Sequence, residues 1–108
     1  MQLTSETRNG FLVVSVSGRM DAVTAPEFER ECSALSTPGT RLVADLSGLE
    51  YISSAGLRSI LATAKRLKAN KGDIRFCGLQ GMVLEVFEVS GFAAMFSIHP
   101  NQEAAVAV

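Results

Sequence analysis

The sequence predicts a single α/β domain over residues 1–108, with a mixed central sheet of four to five strands and three to four helices packed on it. Three observations predict this class. Strand and helix signals alternate, in the order strand, strand, helix, strand, helix, strand, helix, strand. Two long segments carry apolar residues at spacings of three and four, the mark of a helix with one buried face. The run Arg41-Leu42-Val43-Ala44-Asp45-Leu46 is short and apolar, as suits a strand covered on both sides.

Each element has its own signal. A first strand within 2–7 joins a second at 11–17 through Arg8-Asn9-Gly10, because Asn-Gly favours a tight hairpin turn. Val13, Val14 and Val16 make the second strand β-branched, and Gly18 is expected to end it. Thr24, three residues before Glu27 and followed by Pro26, predicts a capping box and a helix start. Ala25, Phe28, Cys32 and Leu35 form the stripe of that helix, and Ser36-Thr37-Pro38-Gly39 stops it. After the strand at 41–46, a turn is expected at Ser47-Gly48. Ser53-Ser54-Ala55-Gly56 then opens the longest helix, whose apolar face is Leu57, Ile60, Leu61, Ala64 and Leu67. Lys65, Arg66, Lys68 and Lys71 complement its negative end, and Asn70-Lys71-Gly72 caps it. A strand at 74–77 follows. A third helix spans 82–89, with Met82, Val86 and Val89 on one side, and Gly91 closes it. A last strand at 95–98 precedes a tail, from about 101, of one or two helical turns or a frayed end.

Composition excludes several functions. Hydrophobic residues make up 47% of the 108, so the chain can build a core. Ten basic and eleven acidic residues leave a net charge of −1, which argues against a nucleic-acid footprint and against attachment to anionic lipid by charge alone. Its longest strongly apolar runs are four or five residues, too short to insert into a bilayer, and the first residues carry no secretion signal. Cys32 and Cys77 read as buried, reduced thiols of a cytoplasmic protein. With His99, they are too few and too scattered for a structural metal site. No cofactor is expected. A nucleophile elbow, a general base and a phosphate-binding glycine loop are all missing, so an enzyme is the weakest of the functional classes.

One place combines unusual features. Asp45 ends a strand, and Ser53 and Ser54 open the longest helix. A helix start offers unpaired amide N–H groups and a partial positive charge. A serine there either caps the helix or presents a hydroxyl for phosphate binding or modification.

The stretch Val43-Ala44-Asp45-Leu46-Ser47-Gly48-Leu49-Glu50-Tyr51-Ile52-Ser53-Ser54-Ala55-Gly56-Leu57 resembles the central motif of STAS-domain anti-sigma factor antagonists. Val16-Ser17-Gly18-Arg19-Met20-Asp21, Phe76-Cys77-Gly78-Leu79 and Phe87-Glu88-Val89-Ser90-Gly91-Phe92 also fit, so the resemblance covers nearly the whole chain. It implies a STAS-like fold and partner switching. Such an antagonist binds an anti-sigma factor that is also a serine kinase, is released when phosphorylated, and is restored by a metal-dependent serine phosphatase. Laid on this chain, the modified residue is Ser54, with Ser53 the second choice; Ser53 stands where the family usually has aspartate. Met20, Asp21, Ser53, Ser54, Gly56 and Arg58 become the candidate partner surface. Asp21 also reads as a turn acid, and Arg58 and Ser59 as a solvated helix face. Met20, Met82 and Met95 read as core or edge filler. The alternative is a STAS subunit that is never phosphorylated, such as the accessory or scaffold component of a lipid-transport ATPase. Monomer and weak dimer both remain open at this level.

Overall fold

Odd- and even-numbered side chains of the central strands are both buried, which a sheet achieves only when it is covered on two faces. In the computed structural model, which describes residues 1–107, the sheet has five strands in the order β1-β2-β3-β4-β5. β1 (Gln2–Arg8) and β2 (Phe11–Met20) are antiparallel, and β3 (Arg41–Ile52), β4 (Asp73–Cys77) and β5 (Ser97–His99) add in parallel. The hairpin turns at Asn9-Gly10 with φ of 52° and 81°, the two positive values that make this dipeptide the favoured choice.

Helices α1 (Ala25–Leu35) and α2 (Ser54–Ala69) are the crossovers after β2 and β3, and α3 (Gly81–Val89) and α4 (Phe92–Met95) link β4 to β5. Val14, Leu42, Ala44 and Phe76 meet Phe28, Ile60, Val83 and Phe87 on their side of the sheet. On the opposite side Phe11, Val13, Val43 and Cys77 pack under Ala105 and Val106, in and just after α5 (Gln102–Ala105). Hydrogen bonds fasten this terminal turn. Asn9 Nδ2 donates to the Val106 carbonyl at 2.6 Å, and Arg75 to the Ala105 carbonyl at 2.8 Å. Gln102 Nε2 donates to Asp45 Oδ2 at 2.6 Å, and Arg8 donates to Gln102 Oε1 at 2.9 Å. Of the tail expectation, Val108 lies outside the described residues.

Several expectations are corrected. Gly18 does not end β2 and Ser47-Gly48 is not a turn; both strands run on, to Met20 and Ile52. The register shifts between Ser15 and Ser17 and between Gly18 and Arg19, so these glycines mark bulges rather than strand ends. Thr24 occupies the cap position of α1, but its side chain makes no capping bond and the box does not form. Its hydroxyl donates to the Arg19 carbonyl at 2.9 Å instead. Leu35 ends the α1 stripe half in solvent. α3 buries Val83 and Phe87 most deeply, with Val86 partly buried against the same core and Met82 and Val89 exposed, and Phe87 docks edge-on against Phe76 and Phe92, with centroids at 5.3 and 5.6 Å. Met95 belongs to the added helical turn α4, so the last strand starts at Ser97 and the described helices number five. Both cysteines are free and buried, and burial pushes each thiol up to about 12.

Candidate functional site

The extra length of β2 and β3 sets the site. The two strands end side by side, with Met20 opposite Ile52, so Asp21 and Ser53 leave the sheet together. A backbone bond from Ser53 N to the Met20 carbonyl, at 2.9 Å, ties the exits. Arg19 lies over the Tyr51 ring, 4.1 Å from its centroid, and stiffens the same corner.

The two serines divide their work. Ser53 is extended (φ −94°, ψ 175°), and its Oγ accepts from Gly56 N at 3.2 Å, so it caps α2. Ser54 is the first residue of the helix and is exposed. Its hydroxyl joins no side-chain hydrogen bond among the described residues. A sixteen-residue helix therefore begins with one serine capping the Gly56 amide and the next exposed.

The other predicted residues separate into surface and support. Arg58 is exposed one turn beyond Ser54. Asp21 is partly exposed, and its Oδ1 accepts from Val23 N at 3.0 Å and Thr24 N at 3.1 Å. Those backbone bonds, Thr24 first, hold its carboxyl below the ordinary value and keep it ionised. The turn-acid reading of Asp21 is thus realised, and a free carboxylate edge remains beside the site.

Met20 and Gly56 are corrected. Met20 is wholly buried, so its side chain offers nothing to a partner. Gly56 is buried beneath it: a Cβ there would come within 2.7 Å of Ile52 Cγ1 and 3.0 Å of the Met20 carbonyl. Both hold α2 against the end of β2. Ser59 is also buried, and its carbonyl accepts the Thr63 hydroxyl at 2.8 Å, so it is no part of a solvated face. Sequence reasoning missed the Arg19–Tyr51 stack, which no spacing rule signals. It also counted as filler two methionines that emerge on the surface, Met82 at 38% exposed and Met95 at 59%.

The chain was compared with known proteins. The family described as STAS domain matches residues 2–105. A candidate anti-sigma factor antagonist of Bordetella bronchiseptica, BtrV, is 41% identical over 99% of this chain and 93% of its own. The anti-sigma-B factor antagonist of Staphylococcus aureus is 26% identical over 95% of this chain and 96% of its own. Among solved structures, an anti-sigma factor antagonist from Mycobacterium paratuberculosis superimposes with a TM-score of 0.84 at 31% identity, covering 97% of this chain and 90% of the other.

Proposed function

This chain belongs to the STAS domain family, and we propose that it is an anti-sigma factor antagonist switched by phosphate on Ser54. In its unmodified form it binds an anti-sigma factor that is also a serine kinase. The kinase phosphorylates Ser54, the two part, and a metal-dependent serine phosphatase returns the hydroxyl. Asp21, Ser53, Ser54 and Arg58 form the contact, with Met20 and Gly56 supporting it from below. The chain works by binding rather than catalysis, in the cytoplasm, as a monomer or weak dimer. No helix among the described residues is long and apolar enough to cross a membrane.

The observation that carries this reading is the exposed Ser54 hydroxyl beside a separate capping serine. Because Ser53 already satisfies the helix start, Ser54 can gain a phosphate without loss of a cap. The phosphate adds about −1.5 to −2 charges. At a helix N-terminus that charge is favourable by roughly 0.3–1 kcal/mol, so the domain stays folded. The cost falls on the interface. Burying an unpaired charge against a partner costs on the order of 2–5 kcal/mol, or roughly thirty- to several-thousand-fold in affinity. This is enough to exchange partners with no refolding.

Incubation with the cognate serine kinase and ATP, followed by mass spectrometry, tests the reading. Phosphate is expected on Ser54 and absent from Ser54→Ala. Ser54→Asp is expected to weaken kinase binding, although one carboxylate imitates a phosphate poorly. A phosphorylated chain that keeps full affinity for the kinase would overturn the switch.

A further inference from the structure

Between the second half of α2 and the single turn α4, the edge of the core lies open. A groove of about 260 Å³ runs there, floored by Leu61, Ala64, Ile74 and Phe96. Ala64 and Ile74 are core residues, 9% and 5% exposed, and Leu61 and Phe96 pack against the same core. The depth has a local cause. Residue 64 is alanine, so α2 puts no long side chain into the gap. Phe96 is pinned against Phe76 and Phe92, with centroids at 5.1 and 5.4 Å, and does not swing across it. Met95, 59% exposed, forms a flexible apolar lip.

Charge is concentrated on one wall. Lys65 and Lys68 are three residues apart, so they stand on the same side of α2, and both are exposed and line the groove. α2 contains no acidic residue, and Asp73 is the one carboxylate on the lining. Two ammonium groups against one carboxylate leave a single net positive charge beside an apolar floor.

We infer that this groove binds a single-chain amphiphile with a carboxylate head, that is, a medium-chain fatty acid. The head lies between Lys65 and Lys68, and the chain lies over Leu61, Ala64, Ile74 and Phe96 under the Met95 lip. One carboxylate balances the net charge, whereas a dianionic phosphate head exceeds it and is repelled by Asp73. The lysine stems extend the apolar wall while their heads stay at the rim. The volume falls at the small end of ligand pockets, roughly 300–1,000 Å³, which suits one chain on the order of ten carbons rather than a two-chain lipid. A net charge of −1 for the whole chain also argues against an anionic bilayer as the occupant. The site is independent of the switch. Lys65 follows Ser54 by eleven helical residues, about 16 Å along the axis, so a fatty acid here and a protein at Ser54 can be held at once.

The test titrates the purified unmodified chain with decanoate below its micelle concentration, by calorimetry and by amide NMR shifts. Saturable binding is expected, with the largest shifts at Leu61–Lys68, Ile74 and Met95–Ser97. From hexanoate to decanoate, affinity is expected to rise about fourfold for each added methylene. The double variant Lys65→Glu, Lys68→Glu is expected to bind decanoate at least tenfold more weakly, and decyltrimethylammonium, with the same tail and a cationic head, more tightly than wild type does. Met95→Asp is expected to weaken decanoate at least tenfold, and Ala64→Leu to do the same by filling the floor without a change of charge. The lysines and Met95 are exposed, so those variants keep the fold, as circular dichroism and thermal melting check. Val89→Asp, at an exposed apolar residue in a different groove, is expected to change nothing. No saturable binding up to the solubility limit would overturn the inference. So would shifts centred elsewhere, or affinities within twofold of wild type for both the double lysine variant and Met95→Asp. Equal wild-type affinity for the two head groups would remove the carboxylate assignment. Sedimentation with phosphatidylglycerol vesicles that is lost in Met95→Asp, without binding of free decanoate, would give the groove to a membrane surface instead.

Discussion

Two neighbouring serines with the same side chain have different energetic roles, and substitution separates them. Ser53→Ala removes the hydroxyl that accepts from Gly56 N, and is expected to cost about 1 kcal/mol of stability. Ser54→Ala removes an exposed hydroxyl and is expected to change stability by less than about 0.5 kcal/mol. Urea unfolding of both variants checks this; equal losses would mean that the cap is shared. Gly56 sets two effects against each other. Alanine is the better helix former by about 1 kcal/mol, which favours Gly56→Ala. The added Cβ, however, meets Ile52 and the Met20 carbonyl at 2.7 and 3.0 Å, and overpacking of that kind costs about 1–3 kcal/mol. The clash is expected to win, with a lower urea midpoint. A raised midpoint would show that α2 and β2 are not in such close contact in solution. That a serine caps α2 was legible in the sequence, since capping is local chemistry; which of Ser53 and Ser54 does so was not. Met20 as core filler was legible too; that it therefore leaves the partner surface was not, because this depends on β2 running past a glycine whose conformation only the pairing with β3 decides.

Elements were legible where one physical signal dominated. The Asn9-Gly10 hairpin, α1 and α2 stand where turn chemistry and helical spacing put them. β2 and β3 were read short because a glycine can end a strand or bulge it, and the bulge is a property of the pair. α3 stands where its spacing put it, and the side that Met82, Val86 and Val89 share is not the most deeply buried one. Its sequence, Gly81-Met82-Val83-Leu84-Glu85-Val86-Phe87-Glu88-Val89, offers two apolar stripes, and periodicity cannot rank them. Aromatic packing ranks them: Phe87 meets Phe76 and Phe92 in the core. Phe87→Ala is therefore expected to cost about 3–5 kcal/mol, enough to unfold a marginal domain, whereas Met82→Ala is expected to cost well under 1 kcal/mol. Should thermal melting show comparable losses for the two, α3 would be docked by the opposite face.

At the scale of the whole molecule, the terminal turn is what closes the second face of the sheet. Residues 102–107 are bonded to the first hairpin through Arg8 and Asn9, to β3 through Asp45 and to β4 through Arg75. One of these bonds depends on pH. Partial burial pushes the Asp45 carboxyl up, but the hydrogen bonds from Gln102 and Ser47 outweigh it and hold the group below the ordinary carboxylate value. A depressed value means that the folded state prefers the ionised form. Its contribution to stability is therefore complete above an unfolded value of about 3.9 and drains away as pH falls through the lower folded value. Asp45→Asn removes that titration and leaves the one at Asp21 in place. Below about pH 4 the wild-type stability is thus expected to fall more steeply than that of Asp45→Asn, as denaturant unfolding at successive pH values would measure. Hydrogen exchange should locate the loss. The amides of Ala105 and Val106 are expected to open at a higher pH than those of Val43 and Ala44 in β3, because the turn is held from one end of the chain and β3 from both sides. Identical acid profiles for the two proteins would mean that the Asp45–Gln102 bond does not persist in solution. The second face would then be closed by the packing of Ala105 and Val106 alone.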